Sequence, residues 1–207
     1  MPKSLRVGPY YGPIAGLSAA PNRVFIERET IIDKALTYGS FASSMPRWLG
    51  RDNITNAAPW GSGIGLAAAV PCQEGDTFSQ ISFITGSTGA TTPTAGYVAI
   101  YDTQATPALM EQSADFGTTA FAASTLFTQN LRNPVRIPIT GTYYVSISFT
   151  AATPPSLTGI NVLAGAVANG LSFQPRLCAV HGSALGGVAP LTLVASNTAK
   201  MALFMLT

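Results

Sequence analysis

Beyond residue 60 the side chains repeatedly alternate between apolar and polar with a period of two. In Gln80-Ile81-Ser82-Phe83-Ile84-Thr85, Ile81 and Phe83 share one face, and Gln80, Ser82 and Ile84 take the other. In Tyr143-Tyr144-Val145-Ser146-Ile147-Ser148-Phe149, residues Tyr143, Val145, Ile147 and Phe149 point one way and Ser146 and Ser148 the opposite way. Successive strand side chains point to opposite faces, so this pattern predicts a sheet with one face in a core. Runs rich in Val, Ile, Thr and aromatics predict strands over 64–70, 77–85, 96–101, 108–113, 126–131, 135–139, 141–150, 171–180, 188–195 and 199–206. Gly75-Asp76 and Thr140-Gly141 are turn signals that open two of these strands, and the Ala- and Thr-rich stretch 118–124 reads as a short helix or looped crossover. With no strand–helix alternation, the prediction is an all-β protein: an antiparallel β-sandwich, jelly-roll-like, over residues 60–207.

Residues 1–59 have a different texture and are expected to form an extended N-terminal docking arm. Pro9, Gly12, Pro13, Gly16, Pro21, Pro46 and Pro59 interrupt any regular element. One helix is predicted around Glu27–Tyr38, where the apolar pattern covers barely two turns. A stretch of this length is long for a loop of a compact domain, and it is rich in aromatics. The expected role is therefore to embrace neighbouring subunits, although wrapping its own domain is the simpler alternative. Arg6, Tyr10, Tyr11, Arg23, Phe25, Arg47, Trp48, Arg51 and Trp60 are the candidate interface residues. Tyr, Trp and Arg are common interface anchors, and the guanidinium fork suits carboxylates on an adjacent chain.

Composition sharpens this picture. Of the 207 residues, 47% are hydrophobic and only 10% charged, against about 25% charged in an average soluble domain. So few charges leave a lone monomer poorly protected against association, which favours a homo-oligomer. No apolar run approaches the roughly 18 residues of a membrane-spanning helix. The formal net charge is +2, and the seven basic side chains up to Asp52 are interspersed with four acids, so nucleic acid is not an expected partner. The start, Met1-Pro2-Lys3-Ser4-Leu5-Arg6, lacks the apolar core of a secretory signal. Cys72 and Cys178, the only cysteines, are expected to be buried thiols rather than a bridge.

Chemistry-bearing groups are sparse. His181 is the only histidine, and Ser183 two residues on is its nearest nucleophile, without the glycine frame of a nucleophile elbow. A satisfied structural histidine is the expected reading, and no catalytic residue is assigned. One His and two distant Cys do not make a zinc site. Asp76, Asp102 and Asp115 would have to converge to hold Ca²⁺, and no acidic repeat supports that, so neither a metal nor a cofactor is expected. Gly61-Ser62-Gly63-Ile64-Gly65 lacks the Lys-Ser/Thr ending of a phosphate loop and reads as a flexible junction. Asn53-Ile54-Thr55 fits a glycosylation acceptor, which matters only in a secreted chain.

Residues 45–157 carry an ordered set of pieces. These are Met45-Pro46-Arg47, Glu74-Gly75-Asp76-Thr77, Ile81-Ser82-Phe83-Ile84-Thr85-Gly86, Ala99-Ile100-Tyr101-Asp102, Ser113-Ala114-Asp115, Gly141-Thr142-Tyr143-Tyr144-Val145 and Thr153-Pro154-Pro155-Ser156-Leu157. In that order they resemble a jelly-roll module of minor tail and virion-surface proteins of phages that infect actinobacteria. The resemblance implies a sandwich displayed on a virion, often as a trimer, among other virion structural proteins, with no catalytic residues to carry over. The expectation is thus a non-enzymatic structural protein at the surface of a phage particle, in the tail or tail fibre. Two alternatives stand beside it. One is a capsid decoration protein, and the other is a module that binds host-surface glycans through loop aromatics such as Tyr97 or Phe121.

Overall fold

A computed structural model describes residues 42–44, 55–57, 61–161, 178–198 and 200–207. They form strands Ala42–Ser43 (β1), Thr55–Ala57 (β2), Gly65–Cys72 (β3), Thr77–Ile84 (β4), Thr91–Tyr101 (β5), Leu109–Gln112 (β6) and Leu126–Arg136 (β7). Gly141–Thr153 (β8), Leu157–Asn161 (β9), Cys178–His181 (β10), Ala195–Asn197 (β11), Lys200–Ala202 (β12) and Phe204–Leu206 (β13) follow. Every pairing between them is antiparallel, and the described residues contain no helix.

One sheet runs β1-β13-β4-β7, a second runs β11-β10-β3-β8-β5-β6, and a small third runs β12-β9-β2. Take β1, β3, β4, β5, β6, β7, β8 and β13 as eight successive strands. The first sheet then has the order first, eighth, third, sixth, and the second contains second, seventh, fourth, fifth. This is the strand order of a jelly roll, two Greek keys wound together. The expected all-β sandwich is therefore what the chain forms.

The inter-sheet core follows from the alternation. Leu66, Ala68 and Val70 of β3, Val98 and Ile100 of β5, and Tyr143, Val145, Ile147 and Phe149 of β8 face Ile81, Phe83, Phe204 and Leu206 of the opposite sheet. Phe78 and Ile81, three positions apart, both reach this core because Ser79 N and Gln80 N both donate to Thr207 O, a bulge in β4, and the register with β7 shifts at the same place. The extra residues lie on β7, where Arg132, Asn133 and Pro134 are exposed. That irregularity joins the two strands predicted over 126–131 and 135–139 into one. On the outer side of the four-stranded sheet, Ser82 bonds Thr128 (2.8 Å) and Gln80 donates to Asn130 (2.9 Å), as a solvated face requires.

Two features differ from the sequence reading. Ala42–Ser43 and Thr55–Ala57, read as part of the arm, are strands, β1 pairing with β13 and β2 with β9. Ser44 Oγ donates to Ala202 O (2.8 Å) and accepts from Phe204 N (2.9 Å), so it ties β1 to the C-terminal strands. Residues 182–194 are not the strand predicted over 188–195. They form a strap whose single bridge, Ala108 to Thr192, lies beyond the named strands. Residues 118–124 are turns, the looped alternative of the sequence reading, with one bridge from Phe121 to Ala90. The helix expected around 27–38 lies outside the described residues.

Candidate interaction surface and the buried face beneath it

The outer face of the six-stranded sheet is covered rather than open to water. Cross-strand register sets its rows. Ala179, Ala67, Ser146, Ala99 and Gln112 form one, and His181, Gly65, Ser148 and Tyr97 the next. Ala69, Tyr144 and Tyr101 form a third. Small residues beside tyrosines leave a shallow bed, which the strap fills with Leu185, Ala189 and Leu193. The sheet is therefore buried on both faces.

Hydrogen bonds fasten the strap at several points. Leu185 N donates to Gly63 O (2.8 Å), and Thr150 Oγ1 donates to Leu185 O (2.6 Å). Ala189 N donates to Gln112 Oε1 (2.6 Å), and the Tyr101 hydroxyl donates to Pro190 O (3.0 Å). Leu109 N donates to Leu191 O and Leu193 N to Pro107 O, both at 2.8 Å. Gly63 has φ near +69°, and the backbone of Ala184 and Leu185 packs against its Cα. The glycine cluster read as a flexible junction is thus a hydrogen-bonded turn that receives the strap. Its Gly63 N also donates to Phe149 O (2.8 Å).

Polar groups lie sealed beneath the strap. Ser146 Oγ and His181 Nε2 are 2.5 Å apart, and both residues are buried. Burial pushes the His181 imidazole down to about 4 from its ordinary 6.5. The Tyr101 ring meets the imidazole edge to face at 6.1 Å. Desolvation raises both Tyr97 and Tyr101 well above the usual phenol range. The Tyr97 hydroxyl neighbours those of Ser146 and Tyr101 without closing a well-formed hydrogen bond, and the Ser148 hydroxyl is likewise unsatisfied. A serine against a histidine has the first two parts of a nucleophilic site. Here the serine lies mid-strand in a sealed layer, and Ser183, the nucleophile considered from sequence, is exposed on the strap.

The strap's outer side supplies the candidate surface. Val188, Leu191 and Val194 are 66%, 80% and 75% exposed. They account for most of the large apolar side chains exposed among the described residues, the others being Leu126 and Ile139. Nothing in the alternation pattern separated these three from core positions. The turns Gly182-Ser183, Gly186-Gly187 and Pro190 were the only local signal that the run is not a strand.

The remaining sequence candidates fall as follows. Arg6, Tyr10, Tyr11, Arg23, Phe25, Arg47, Trp48, Arg51 and Trp60 lie outside the described residues. So does Asn53 of the acceptor triplet, while Thr55 opens β2. Asp76, Asp102 and Asp115 do not converge, and among the described residues no group of His, Cys, Asp or Glu is placed to hold a metal. Each aspartate instead accepts local backbone N–H groups: Gln73 for Asp76, Gln104 and Ala108 for Asp102, and Gly96 and Gly117 for Asp115. Tyr97 and Phe121, considered as sugar-binding aromatics, are buried, and no aromatic among the described residues is exposed. Cys72 and Cys178 are buried thiols that donate to Val70 O and Thr198 O, and burial lifts Cys178 to about 11. Compared with known proteins, the chain matches no family model, and no curated protein matches it significantly.

Proposed function

We propose that this chain is a non-enzymatic structural protein of a bacteriophage particle, a jelly roll that packs against copies of itself and is docked by its N-terminal segment. The observation that carries this reading is the strap. It presents three large, exposed apolar side chains on a sandwich with only nine charged residues from Gly61 to the C-terminus. An uncharged apolar patch is compatible with its own copy, since no like charges oppose each other. The module resemblance favours a tail or tail-fibre position, with homotrimers as the assembly. Capsid decoration is the competing position.

Two measurements test this. Immunogold labelling of intact particles should place the chain on the tail; labelling of the head would select decoration, and no labelling would end the virion reading. Sedimentation of the purified chain should give a trimer. Changing Val188, Leu191 and Val194 together to Ser should weaken self-association by at least about a hundredfold, given roughly 1.5 kcal/mol or more per buried aliphatic side chain. A wild-type chain that stays monomeric at high concentration would remove the assembly claim.

A further inference from the structure

The strap closes over a histidine that has no countercharge among the described residues. His181 faces Gly65 of β3, Ser146 and Ser148 of β8, and Tyr97 and Tyr101 of β5, and across β11 its partner is Ala195. The titratable groups in that set are the two tyrosines, whose phenols are held neutral by burial. The strap, residues 182–194, has no ionisable side chain of its own. Asp115 touches it at Gly187 but uses its carboxylate on Gly96 N and Gly117 N. Glu111 on β6 accepts from Asn133 and from Gln112 N. An imidazolium under the strap would therefore be a buried charge without a partner, which the layer can relieve only by admitting water.

The layer is also separable. The six-stranded sheet divides the apolar interior into the inter-sheet core and a smaller cluster made by Leu185, Ala189 and Leu193 against Ala67, Ala99 and the tyrosines. Losing the second leaves every strand pairing of the jelly roll in place, so it is a natural unit of partial opening. We propose that residues 182–194 are an acid-released strap, which lifts off the outer face of the six-stranded sheet when the imidazole beneath it takes a proton, while the inter-sheet core stays folded.

The sign follows from linkage. Above pH 6.5 the imidazole is neutral whether the strap is closed or open, and pH has no effect through this group. From 6.5 down to about 4 the open form binds a proton that the closed form refuses, so each unit of acidification favours opening by about tenfold. Below 4 both forms carry the proton and the gain stops.

The chain has a single histidine, so its imidazole resonance reads the site without a variant. In the full-length protein, titration of that resonance should run alongside hydrogen exchange of the strap and of strands β3 and β8. The expected result is a ring still neutral at pH 5.5. Strap exchange, corrected for its intrinsic pH dependence, should rise at least tenfold between pH 6.5 and 4, with β3 and β8 unchanged. In His181→Gln, which keeps a polar partner for Ser146, the strap should show no such rise. A ring that titrates near 6.5 under a closed strap overturns the proposal. So does strap exchange that is flat in the wild type, that rises only together with β3 and β8, or that follows the same curve in His181→Gln. The strap's outer side is also the proposed self-contact, so the exchange is repeated with Val188→Ser, Leu191→Ser and Val194→Ser combined, where the same rise with acidification should persist.

Discussion

Gly65 lies opposite His181 across β3 and β10, and a Cβ on Gly65 would overlap the imidazole. The ring thus covers backbone that any other residue would occupy, and the glycine is there for close approach rather than for a turn. Gly65→Ala should lower stability by about 1–3 kcal/mol in urea unfolding, the range for overfilling a packed site. In a His181→Ala background the same change should cost much less, since the methyl then enters space the ring has left. An equal cost in both backgrounds would mean that the ring is not what excludes the side chain. The sequence does mark Gly65 as unusual inside a strand run, but its partner, 116 positions away, follows only from the pairing.

Strand β8 shows how one element serves two layers. It lies between β3 and β5 at the centre of the larger sheet. Its odd positions enter the inter-sheet core, where Phe149 meets Phe83, Phe116 and Phe121 with ring centroids 5.9, 5.6 and 5.0 Å apart. Its even positions, Tyr144, Ser146 and Ser148, lie under the strap. Phe149→Ala should cost about 3–5 kcal/mol, because it combines lost burial with a cavity among rigid rings. Thr128→Ala on the solvated face of β7 should cost no more than about 1 kcal/mol. Comparable losses from the two changes, in the same denaturant series, would contradict this assignment of faces. The alternation correctly assigned the odd positions to a core. It could not assign the serines, because Ser suits either a solvated face or a hydroxyl-lined buried layer.

At the level of the whole molecule, the C-terminus is structural. Strand β13 is paired on both sides, to β1 and to β4, and Thr207 O accepts from Ser79 N (2.8 Å) and Gln80 N (2.9 Å). The strand order thus leaves the sandwich incomplete until the last residues join it. Deleting residues 204–207 should abolish cooperative thermal unfolding and the near-ultraviolet tyrosine signal. A truncated chain with both intact would show that the four-stranded sheet holds without its inner strand. Strand β1 follows the same logic from the other end. Two residues from a proline-punctuated region have no strand signature of their own, and they pair because β13 offers an open edge.

From its residue pattern alone, this chain specifies an all-β sandwich, the inward face of its long strands, the turns that Gly75 and Asp76 begin, and a surface poor in charge. Those properties are local: they depend on side-chain period, turn chemistry and composition, each readable within a few residues. Tertiary structure alone decided which strands pair within the jelly-roll-like sandwich, the recruitment of residues 42–44 and 55–57, and the burial of the second sheet face. It also joined His181 to Ser146 and turned Val188, Leu191 and Val194 outward. These depend on which distant segments meet. A row of small residues looks the same whether water or thirteen residues of strap will cover it.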